Sequence, residues 1–292
     1  MRVPFTKMHG CGNDYVYLDA IGGKVPPPRS WSALARAMSD RHTGIGADGL
    51  IVLAPSRRAD VRMAMYNADG SPSEMCGNGI RCLAKLAADH GHVRGGSLTV
   101  ETGAGVLGVE LVRRGRVVVG ASVAMGRPRL TPAGIPALHP GPGPLLTLAL
   151  TAAGIDVDLV LVGMGNPHAV VFVPEPDNFP VESVGPNIER DPVFPRRTNV
   201  EFAAVIQGAR PFTRQIPILR QRTWERGSGE TLACGTGACA VTVAAILTGR
   251  ITGRRAKVRL TGGDLDIAWP ADDAEVRMTG PAATVFDGVW PG

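Results

Sequence analysis

The chain has 292 residues, 44% of them hydrophobic and 20% charged, and a net charge of +5. This composition is typical of a folded protein of one or two domains, and no apolar run approaches the length of a membrane span. The small positive charge is carried by scattered arginines, which argues against a nucleic-acid partner and favours an anionic small-molecule substrate.

The cysteine content indicates the compartment. The chain has five cysteines, an odd number that cannot all pair, and it is too large to need disulfides for stability. The first residues lack the apolar core of a secretory signal peptide. We therefore expect a reducing, cytoplasmic location, no membrane partner, and thiols that are available for chemistry.

The first half of the chain predicts a sheet interrupted by two helices. One helix is capped by Ser30, and the other begins after Cys76 with Ile80, Leu83 and Leu86 on its apolar side. Apolar segments bounded by glycine turns predict strands at 5–8, 15–18, 50–53, 61–65, 98–101, 106–112 and 117–123. The last three of these strands should form a meander.

A proline-rich segment separates the two halves. Six prolines lie within residues 126–145, which is incompatible with a helix or a central strand. We predict a linker here, between a first domain of residues 1–127 and a second domain of residues 128–278. A final strand over 284–289 has no place after the second half, so residues 279–292 are expected to return to the first domain.

The second half predicts a similar order of elements. Its strands are expected at 159–162, 169–173, 200–205, 214–220, 257–260, 265–269 and 275–278. Pro217 suggests that the strand over 214–220 lies at a sheet edge. A very apolar helix begins after Cys234 and is ended by Gly249, so it should be buried nearly all round.

A short motif occurs once in each half. Residues 75–82 read Met-Cys-Gly-Asn-Gly-Ile-Arg-Cys, and residues 233–239 read Ala-Cys-Gly-Thr-Gly-Ala-Cys. Three further blocks recur in the same order at a nearly constant offset, which indicates a duplicated domain. We therefore predict an α+β fold of two pseudo-symmetric domains, each a curved, mainly antiparallel sheet around a central helix.

Each motif places a thiol at a helix N-terminus. There the helix dipole should lower the pKa of Cys76 and Cys234, and the glycines that follow let backbone N–H groups approach an anion. Two such thiols facing one α-carbon would remove a proton from one side and deliver a proton to the other. This pattern favours stereoinversion of an amino acid. The alternatives are a core role, a redox disulfide and a zinc site, the last disfavoured because the chain has no CxxC pair.

Polar residues between the strands are candidate ligands. Four asparagines occupy loop positions, at Asn13, Asn67, Asn166 and Asn199. Any one of them alone would be interpreted as a turn residue, but their symmetric placement favours substrate binding. Glu225 and Arg226 either form a surface ion pair or bind the ammonium and the carboxylate of a zwitterionic substrate. His168 lies in a repeated block, where an imidazole would ease proton exchange by a thiol.

The remaining cysteines and glycine turns predict no further chemistry. Cys82 and Cys239 are expected in the core, and Cys11 in a structural turn. No dinucleotide fingerprint, phosphate-binding loop or pyridoxal lysine is present in the sequence. We therefore expect neither a cofactor nor a metal.

The motifs together resemble the diaminopimelate epimerase family. The resemblance extends over residues 5–288 and is carried by His9–Asp14, Asn67–Ser71, Met75–Cys82, Gly165–His168, Arg197–Val200 and Glu225–Gly237. It implies a pyridoxal-independent isomerase that interconverts LL- and meso-diaminopimelate for lysine and peptidoglycan synthesis. It also implies two pseudo-symmetric halves and a homodimer.

The resemblance assigns roles to individual residues. Cys76 and Cys234 would be the catalytic acid and base, with His168 and Glu225 tuning the thiols and holding the α-ammonium region. The residues that would bind the distal end of the substrate are Asn13, Asn67, Asn166, Asn199 and Arg226. Those that would hold the α-carboxylate are Gly77, Asn78, Gly235 and Thr236. Some members carry a substrate-contacting glutamine where this chain has Gly49, so that contact is not carried over.

Other families and classes offer rival interpretations. Proline racemases and hydroxyproline epimerases share the fold but typically have a histidine in place of Asn78. Phenazine-type isomerases lack the cysteine pair. From another class, a thiol-based redox or ligand-binding module would use the cysteines without turnover.

Overall fold

The chain divides into two structural units, each with its own buried core. The structure is a computed structural model that describes residues 2–23, 25, 30–208 and 215–291. The first unit comprises Met1–Ala124 and Thr279–Gly292, and the second comprises Met125–Met278. Within the described ranges, none of the helices has the length and apolarity needed to cross a membrane.

The first unit begins with a strand hairpin and contains two helices. Its elements up to residue 124 are β1 (Val3–Gly10), β2 (Asn13–Asp19), α1 (Trp31–Ser39), β3 (Gly49–Ala54), β4 (Val61–Asn67), β5 (Pro72–Ser73), α2 (Gly77–Asp89), β6 (Ser97–Thr102), β7 (Gly105–Arg114) and β8 (Val117–Ala124). The predicted helix cap is confirmed, because the Ser30 hydroxyl accepts a hydrogen bond from the Ala33 N–H at 3.2 Å.

The second unit has the same kinds of elements. They are β9 (Leu148–Ala152), β10 (Ile155–Gly163), β11 (Pro167–Phe172), α3 (Val181–Glu189), β12 (Asn199–Gln207), β13 (Ile218–Glu225), β14 (Gly229–Thr231), α4 (Gly235–Leu247), β15 (Arg255–Leu260) and β16 (Gly263–Ala268). Strand β17 (Arg277–Pro281) begins in the second unit and ends in the first. The last strand, β18 (Ala283–Trp290), belongs to the first unit and pairs antiparallel with β1.

Strand pairing repeats in the two units. The first unit has three antiparallel pairs, β1–β2, β3–β4 and β6–β7, which alternate with two parallel pairs, β2–β3 and β4–β6. The second unit has the same alternation: β10–β11, β12–β13 and β15–β16 are antiparallel, and β11–β12 and β13–β15 are parallel. The identical order confirms the predicted duplication and the mainly antiparallel α+β fold.

A central helix contacts most strands of each unit. Helix α2 packs against β1, β2, β3, β4, β6, β7 and β8, and α4 packs against β10, β11, β12, β13, β15 and β16. Both helices are buried along most of their length, and Ile80, Leu83 and Val241 are 0% exposed. Because the sheet surrounds the helix, the apolar sequence of α4 is buried nearly all round, as predicted.

Strand β13 differs from its sequence prediction. The expected strand covered residues 214–220, of which Arg214 lies outside the described residues, whereas β13 covers Ile218–Glu225. The predicted edge position is wrong, because β13 pairs with β12 on one side and with β14 and β15 on the other. Pro217 precedes the strand, and its carbonyl accepts a hydrogen bond from the Lys257 N–H at 2.9 Å. The proline is therefore compatible with an internal strand.

The proline-rich segment and α3 also differ from expectation. Residues 126–145 were expected to be a linker, yet Ile135, Ala137 and Leu145 are buried in the core of the second unit. Helix α3 was not predicted, because Pro186 lies inside it and Pro180 precedes it without a side-chain cap. It occupies the same place in the strand order as α1 does in the first unit.

Candidate active site

Cys76 occupies the N-terminal end of α2 in the first unit. Its sulfur accepts a hydrogen bond from the Gly79 N–H at 3.4 Å, so the thiol itself caps the helix. The Cys76 thiol donates to the side-chain oxygen of Asn13 at 3.3 Å, and the Asn78 amide donates to the same oxygen at 3.3 Å. Asn13 therefore joins the thiol to the first turn of the helix.

Charged residues hold Asn13 from the other side. Its amide nitrogen donates to Asp48 at 2.6 Å, and Arg41 bridges Asp48 and Asp14, each at 2.8 Å. Lys7 forms a second ion pair with Asp14. Burial alone would raise the pKa of Asp14, but hydrogen bonds and charge from Arg41 and Lys7 keep it below its usual value. Asp48 was not among the predicted site residues, although it lies next to Gly49 in the sequence.

Asn67 and Gly49 lie at the adjoining ends of β4 and β3. The Asn67 side chain donates to the Ser71 hydroxyl at 3.0 Å, inside the turn that follows β4. Gly49 pairs with Asn67 across the two strands. A Cβ atom at Gly49 would lie 2.2 Å from the Tyr66 carbonyl oxygen and 3.0 Å from the Tyr15 ring. A glutamine side chain therefore does not fit at this position.

We expect Gly49→Ala to lower the free energy of unfolding by about 2 kcal/mol, because the added methyl group collides with backbone that must then shift. The measurement is urea unfolding with the slope of the transition compared between variants. Gly108→Ala is the matched control, since a Cβ at Gly108 meets no atom within 4 Å. Equal destabilisation of the two variants would contradict the steric explanation.

Cys234 occupies the equivalent end of α4 in the second unit. Its sulfur accepts from the Gly237 N–H at 3.4 Å and lies 3.5 Å from the Thr236 hydroxyl. The Asn166 amide donates to that hydroxyl at 3.4 Å. The thiol and the asparagine are thus joined through Thr236, whereas in the first unit the corresponding asparagine contacts the thiol directly.

His168 continues this chain of contacts into the core. Its Nε2 atom lies 2.9 Å from the Asn166 side-chain oxygen, and its Nδ1 atom lies 2.8 Å from the Glu201 carboxylate. Both partners are oxygen atoms, so each ring nitrogen of His168 has an acceptor within hydrogen-bond distance. His168 therefore reaches Cys234 through Asn166 and Thr236.

Glu201 is a buried carboxylate that the sequence analysis missed. Both Glu201 and His168 are 0% exposed, so they form a buried ion pair when the imidazole is charged. A Cβ atom at Gly237 would lie 2.6 Å from the Glu201 carboxylate, which places this carboxylate against the first turn of α4. One feature of the sequence could have indicated this role: Glu201 is the single acidic residue in the otherwise apolar strand predicted over 200–205.

Glu225 lies at the end of β13 and also faces the thiol. Its carboxylate accepts a hydrogen bond from the Thr231 hydroxyl at 2.5 Å, and its charge acts on the Cys234 thiol. Burial raises the pKa of Glu225, and the charge of Glu201 raises it further. The two acidic residues give the second thiol a strongly anionic setting.

The pKa of Cys234 is opposite to the sequence prediction. Burial raises it well above the usual value for a thiol, and the charges of Glu225 and Glu201 raise it further. The hydrogen bonds from Thr236 and from the Gly237 N–H lower it, but they do not outweigh these effects. The helix N-terminus was expected to dominate, and that expectation was wrong because the sequence did not show that the thiol would be 4% exposed beside two carboxylates.

Asn199 and Arg226 are joined at the start of β12. The Asn199 side chain donates to the Pro167 carbonyl at 3.0 Å and accepts from the Arg226 N–H at 2.9 Å. The Arg226 guanidinium donates to the Arg196 carbonyl at 2.9 Å and lies on the exposed surface. Asn199 thus fixes the backbone beside Glu225.

The remaining cysteines have the predicted surroundings. Cys82 and Cys239 are 0% exposed within α2 and α4, and Cys11 is buried beside Arg81, with 3.9 Å between its sulfur and a guanidinium nitrogen. None of the five cysteines, all of which lie within the described residues, forms a disulfide. Helices α2 and α4 begin directly after Cys76 and Cys234, and the N-terminus of a helix attracts anions.

Comparison with known proteins gives close relatives along almost the whole chain. A family model described as diaminopimelate epimerase matches residues 5–131 and 160–285. The diaminopimelate epimerase of Desulfovibrio desulfuricans is 49% identical over 291 residues, covering 98% of this chain and 97% of the relative.

Solved structures with a similar fold are more distant in sequence. A phenazine biosynthesis protein from Bacillus anthracis has a TM-score of 0.69 at 15% identity, over 99% of both chains. A probable proline racemase from Agrobacterium radiobacter K84 has a TM-score of 0.67 at 17% identity, over 98% of this chain and 92% of that one. At these identities the likeness shows the fold alone.

Proposed function

This chain belongs to the diaminopimelate epimerase family, and from that premise we propose that it inverts one α-carbon of diaminopimelate, interconverting the LL and meso isomers. The single observation that carries the proposal is the pair of cysteine-capped helices, one in each unit. The reaction would supply lysine and peptidoglycan synthesis. A proton-transfer mechanism with two thiols requires no cofactor.

We propose a two-base mechanism for the inversion. One sulfur, as thiolate, takes the α-proton and becomes a thiol, while the electron pair of the C–H bond stays on the α-carbon. The other thiol then gives its proton to the opposite face of that carbon and becomes a thiolate. Each turnover exchanges the protonation states of Cys76 and Cys234, and the reverse reaction restores them.

The unlike surroundings of the thiols support an assignment of the resting state. Burial and two carboxylates raise the pKa of Cys234, which keeps it protonated at neutral pH. We therefore assign the first proton donation to Cys234 and the first proton removal to Cys76. His168 and Glu225 would tune Cys234, the former through Asn166 and Thr236.

Substrate binding is assigned to residues around the two thiols. The α-carboxylate would accept hydrogen bonds from the N–H groups of the first turns of α2 and α4, at Gly77, Asn78, Gly235 and Thr236. The distal end, which does not react, would be held by Asn13, Asn67, Asn166, Asn199 and Arg226. Binding at both ends would select a substrate with two amino-acid groups.

The test is incubation of the enzyme with LL-diaminopimelate in deuterated water. The expected result is formation of the meso isomer with deuterium at the inverted α-carbon. Parallel incubations with proline and 4-hydroxyproline separate the rival racemases, which would invert those substrates instead. Absence of both inversion and deuterium incorporation on diaminopimelate would overturn the proposal.

A reactivity measurement tests the assignment of the resting state. We expect iodoacetamide at neutral pH to alkylate Cys76 faster than Cys234, because the pKa of Cys234 is raised and the thiol is 4% exposed. Peptide-resolved mass spectrometry follows each cysteine separately. Glu225→Gln should speed alkylation of Cys234, since removing a nearby carboxylate lowers its pKa while the shape of the side chain is kept. Unchanged alkylation in this variant would show that exposure alone controls the rate.

We also propose that the enzyme is a cytoplasmic homodimer without a nucleic-acid partner. Exposed apolar residues on β18 support the dimer, because Val285 and Val289 are 54% and 51% exposed. The odd number of cysteines supports a reducing compartment.

The dimer proposal predicts the effect of a charge on β18. Val289→Lys should lower the mass measured by size-exclusion chromatography with light scattering from twice the chain mass to the chain mass, because an interface does not tolerate an unpaired buried charge. Val117→Lys on β8 is the control, as Val117 is 59% exposed on another strand of the same unit. A dimer that persists in the Val289 variant would exclude this strand from the interface.

A further inference from the structure

Three metal-binding side chains converge at the end of α2 that is remote from Cys76. The Nδ1 atom of His90 and the Nε2 atom of His92 each lie 2.8 Å from the same oxygen, Oδ2 of Asp19. The three donor atoms all lie within 4.8 Å of one another. A helix of thirteen residues, about 20 Å long, separates this cluster from the catalytic thiol. The cluster therefore has no part in the proposed reaction.

The backbone fixes the two histidines in this position. After the last turn of α2, the N–H groups of His90, Gly91 and His92 donate to the carbonyls of Leu86, Ala88 and Ala87 at 2.9, 3.1 and 2.9 Å. Gly91 has a φ of 77°, a left-handed conformation that favours glycine. The turn thereby brings residues two apart in sequence back towards one point.

The carboxylate is fixed as well. Asp19 lies at the end of β2, and its Oδ1 atom accepts a hydrogen bond from the Ile21 N–H at 3.0 Å, which leaves Oδ2 directed at both imidazoles. The side chain of Asp19 is 7% exposed, whereas those of His92 and His90 are 17% and 34% exposed. The cluster therefore combines a buried anionic ligand with a side that solvent reaches.

We propose that Asp19, His90 and His92 form a binding site for a divalent transition-metal ion such as Zn²⁺ or Co²⁺. Imidazole nitrogens select such ions over Mg²⁺ and Ca²⁺, which prefer oxygen ligands. Bonds of 2.0–2.2 Å to a tetrahedral ion place its donor atoms about 3.3 Å apart. The two 2.8 Å separations from Asp19 Oδ2 need to open by about half an ångström, and the two imidazole nitrogens, now within 4.8 Å of each other, must also lie about 3.3 Å apart in the complex. Water would supply the fourth ligand.

The chemical role of such an ion would be structural. It would link the end of β2 to the turn after α2, two elements that are now joined through hydrogen bonds to one carboxylate oxygen. No metal was predicted from the sequence. The convergence depends on the left-handed turn at Gly91 and on Asp19, which is about seventy residues away in sequence.

The test is titration of chelator-treated enzyme with Co²⁺, followed by calorimetry and by the visible absorption spectrum. We expect one ion per chain, no thiolate-to-cobalt charge-transfer band, and a higher thermal unfolding midpoint with the ion bound. His92→Gln should weaken binding at least about 100-fold, since even outer partners of metal ligands change affinity 10–100-fold. His42→Gln, the same change at an exposed histidine of the same unit, should leave it unchanged.

A double variant separates this site from the reactive thiols. Cys76→Ala with Cys234→Ala should keep the cobalt site, because neither sulfur belongs to it. Loss of binding in that variant, or equal binding by wild type and His92→Gln, would overturn the proposal. So would the absence of saturable uptake by folded wild-type enzyme, which would leave Asp19 as a hydrogen-bonded anchor for the two histidines.

Discussion

Cys76→Ala and Cys234→Ala should each lower the kcat for inversion of LL-diaminopimelate by at least about 1,000-fold, which corresponds to about 4 kcal/mol of transition-state stabilisation. The physical reason is that each face of the α-carbon has one proton-transfer group, and an alanine leaves that face without one. The measurement is the rate of formation of the meso isomer, with protein folding checked by circular dichroism.

Deuterium exchange in the same variants distinguishes the two-base mechanism from a single mobile base. A variant that retains the sulfur facing the α-hydrogen of the LL isomer can still exchange that hydrogen without inversion. The other variant should exchange only the meso isomer at the reacting centre. Exchange of both isomers by both variants would contradict the proposal that Cys76 and Cys234 each act on one face of the α-carbon.

The other cysteines of α2 and α4 provide the control. Cys239→Ala makes the same substitution in α4, five residues from Cys234, where the thiol is fully buried. We expect it to lower stability modestly, through loss of packing, and to leave kcat within a few-fold of wild type. Full activity of either Cys76→Ala or Cys234→Ala would refute the two-base proposal.

The two thiol sites have the same backbone but different electrostatics. A Cβ at Gly79 would lie 2.6 Å from the side chain of Ile51, and a Cβ at Gly237 would lie 2.6 Å from the carboxylate of Glu201. The duplicated fold therefore places an apolar side chain beneath one helix terminus and a carboxylate beneath the other. Because a nearby negative charge favours the protonated thiol, this single difference helps to make one cysteine the acid.

Local sequence signals predicted the elements that carry the site. Ser30 capped a helix as expected, and the Cys-Gly-polar-Gly motifs began both central helices because glycine allows the tight entry and the apolar residues that follow are buried. Helix α3 was missed because its prolines oppose the helical pattern, whereas its packing against β9, β12, β13 and β14 stabilises it.

Contacts between distant residues could not be predicted in the same way. Glu201 meets His168 across parallel strands β11 and β12, a register that the sequence pattern does not specify. The raised pKa of Cys234 depends on burial and on the charges of Glu225 and Glu201, and the tertiary fold determines all of these. Sequence reasoning therefore identified the reacting atoms but assigned the wrong direction to one pKa.

Replacing Glu201 tests how far the electrostatics of the second unit depend on this contact. Glu201→Ala leaves His168 fully buried without its carboxylate partner, so we expect it to lower the free energy of unfolding by about 3–5 kcal/mol. Urea unfolding measures this loss. Phe202→Leu, at the next position of β12, is the control for packing alone and should cost less.

Glu201→Gln separates charge from structure. The glutamine oxygen can still accept the hydrogen bond from His168, so the stability loss should be only about 1–2 kcal/mol. Removing the charge should nevertheless lower the pKa of Cys234, which is raised partly by Glu201, and shift the pH profile of its alkylation to lower pH. The profile of Cys76 should not move. A residue that merely filled space would leave both profiles unchanged, so an unshifted Cys234 profile in folded Glu201→Gln would show that Glu201 has no part in setting the acidity of the thiol.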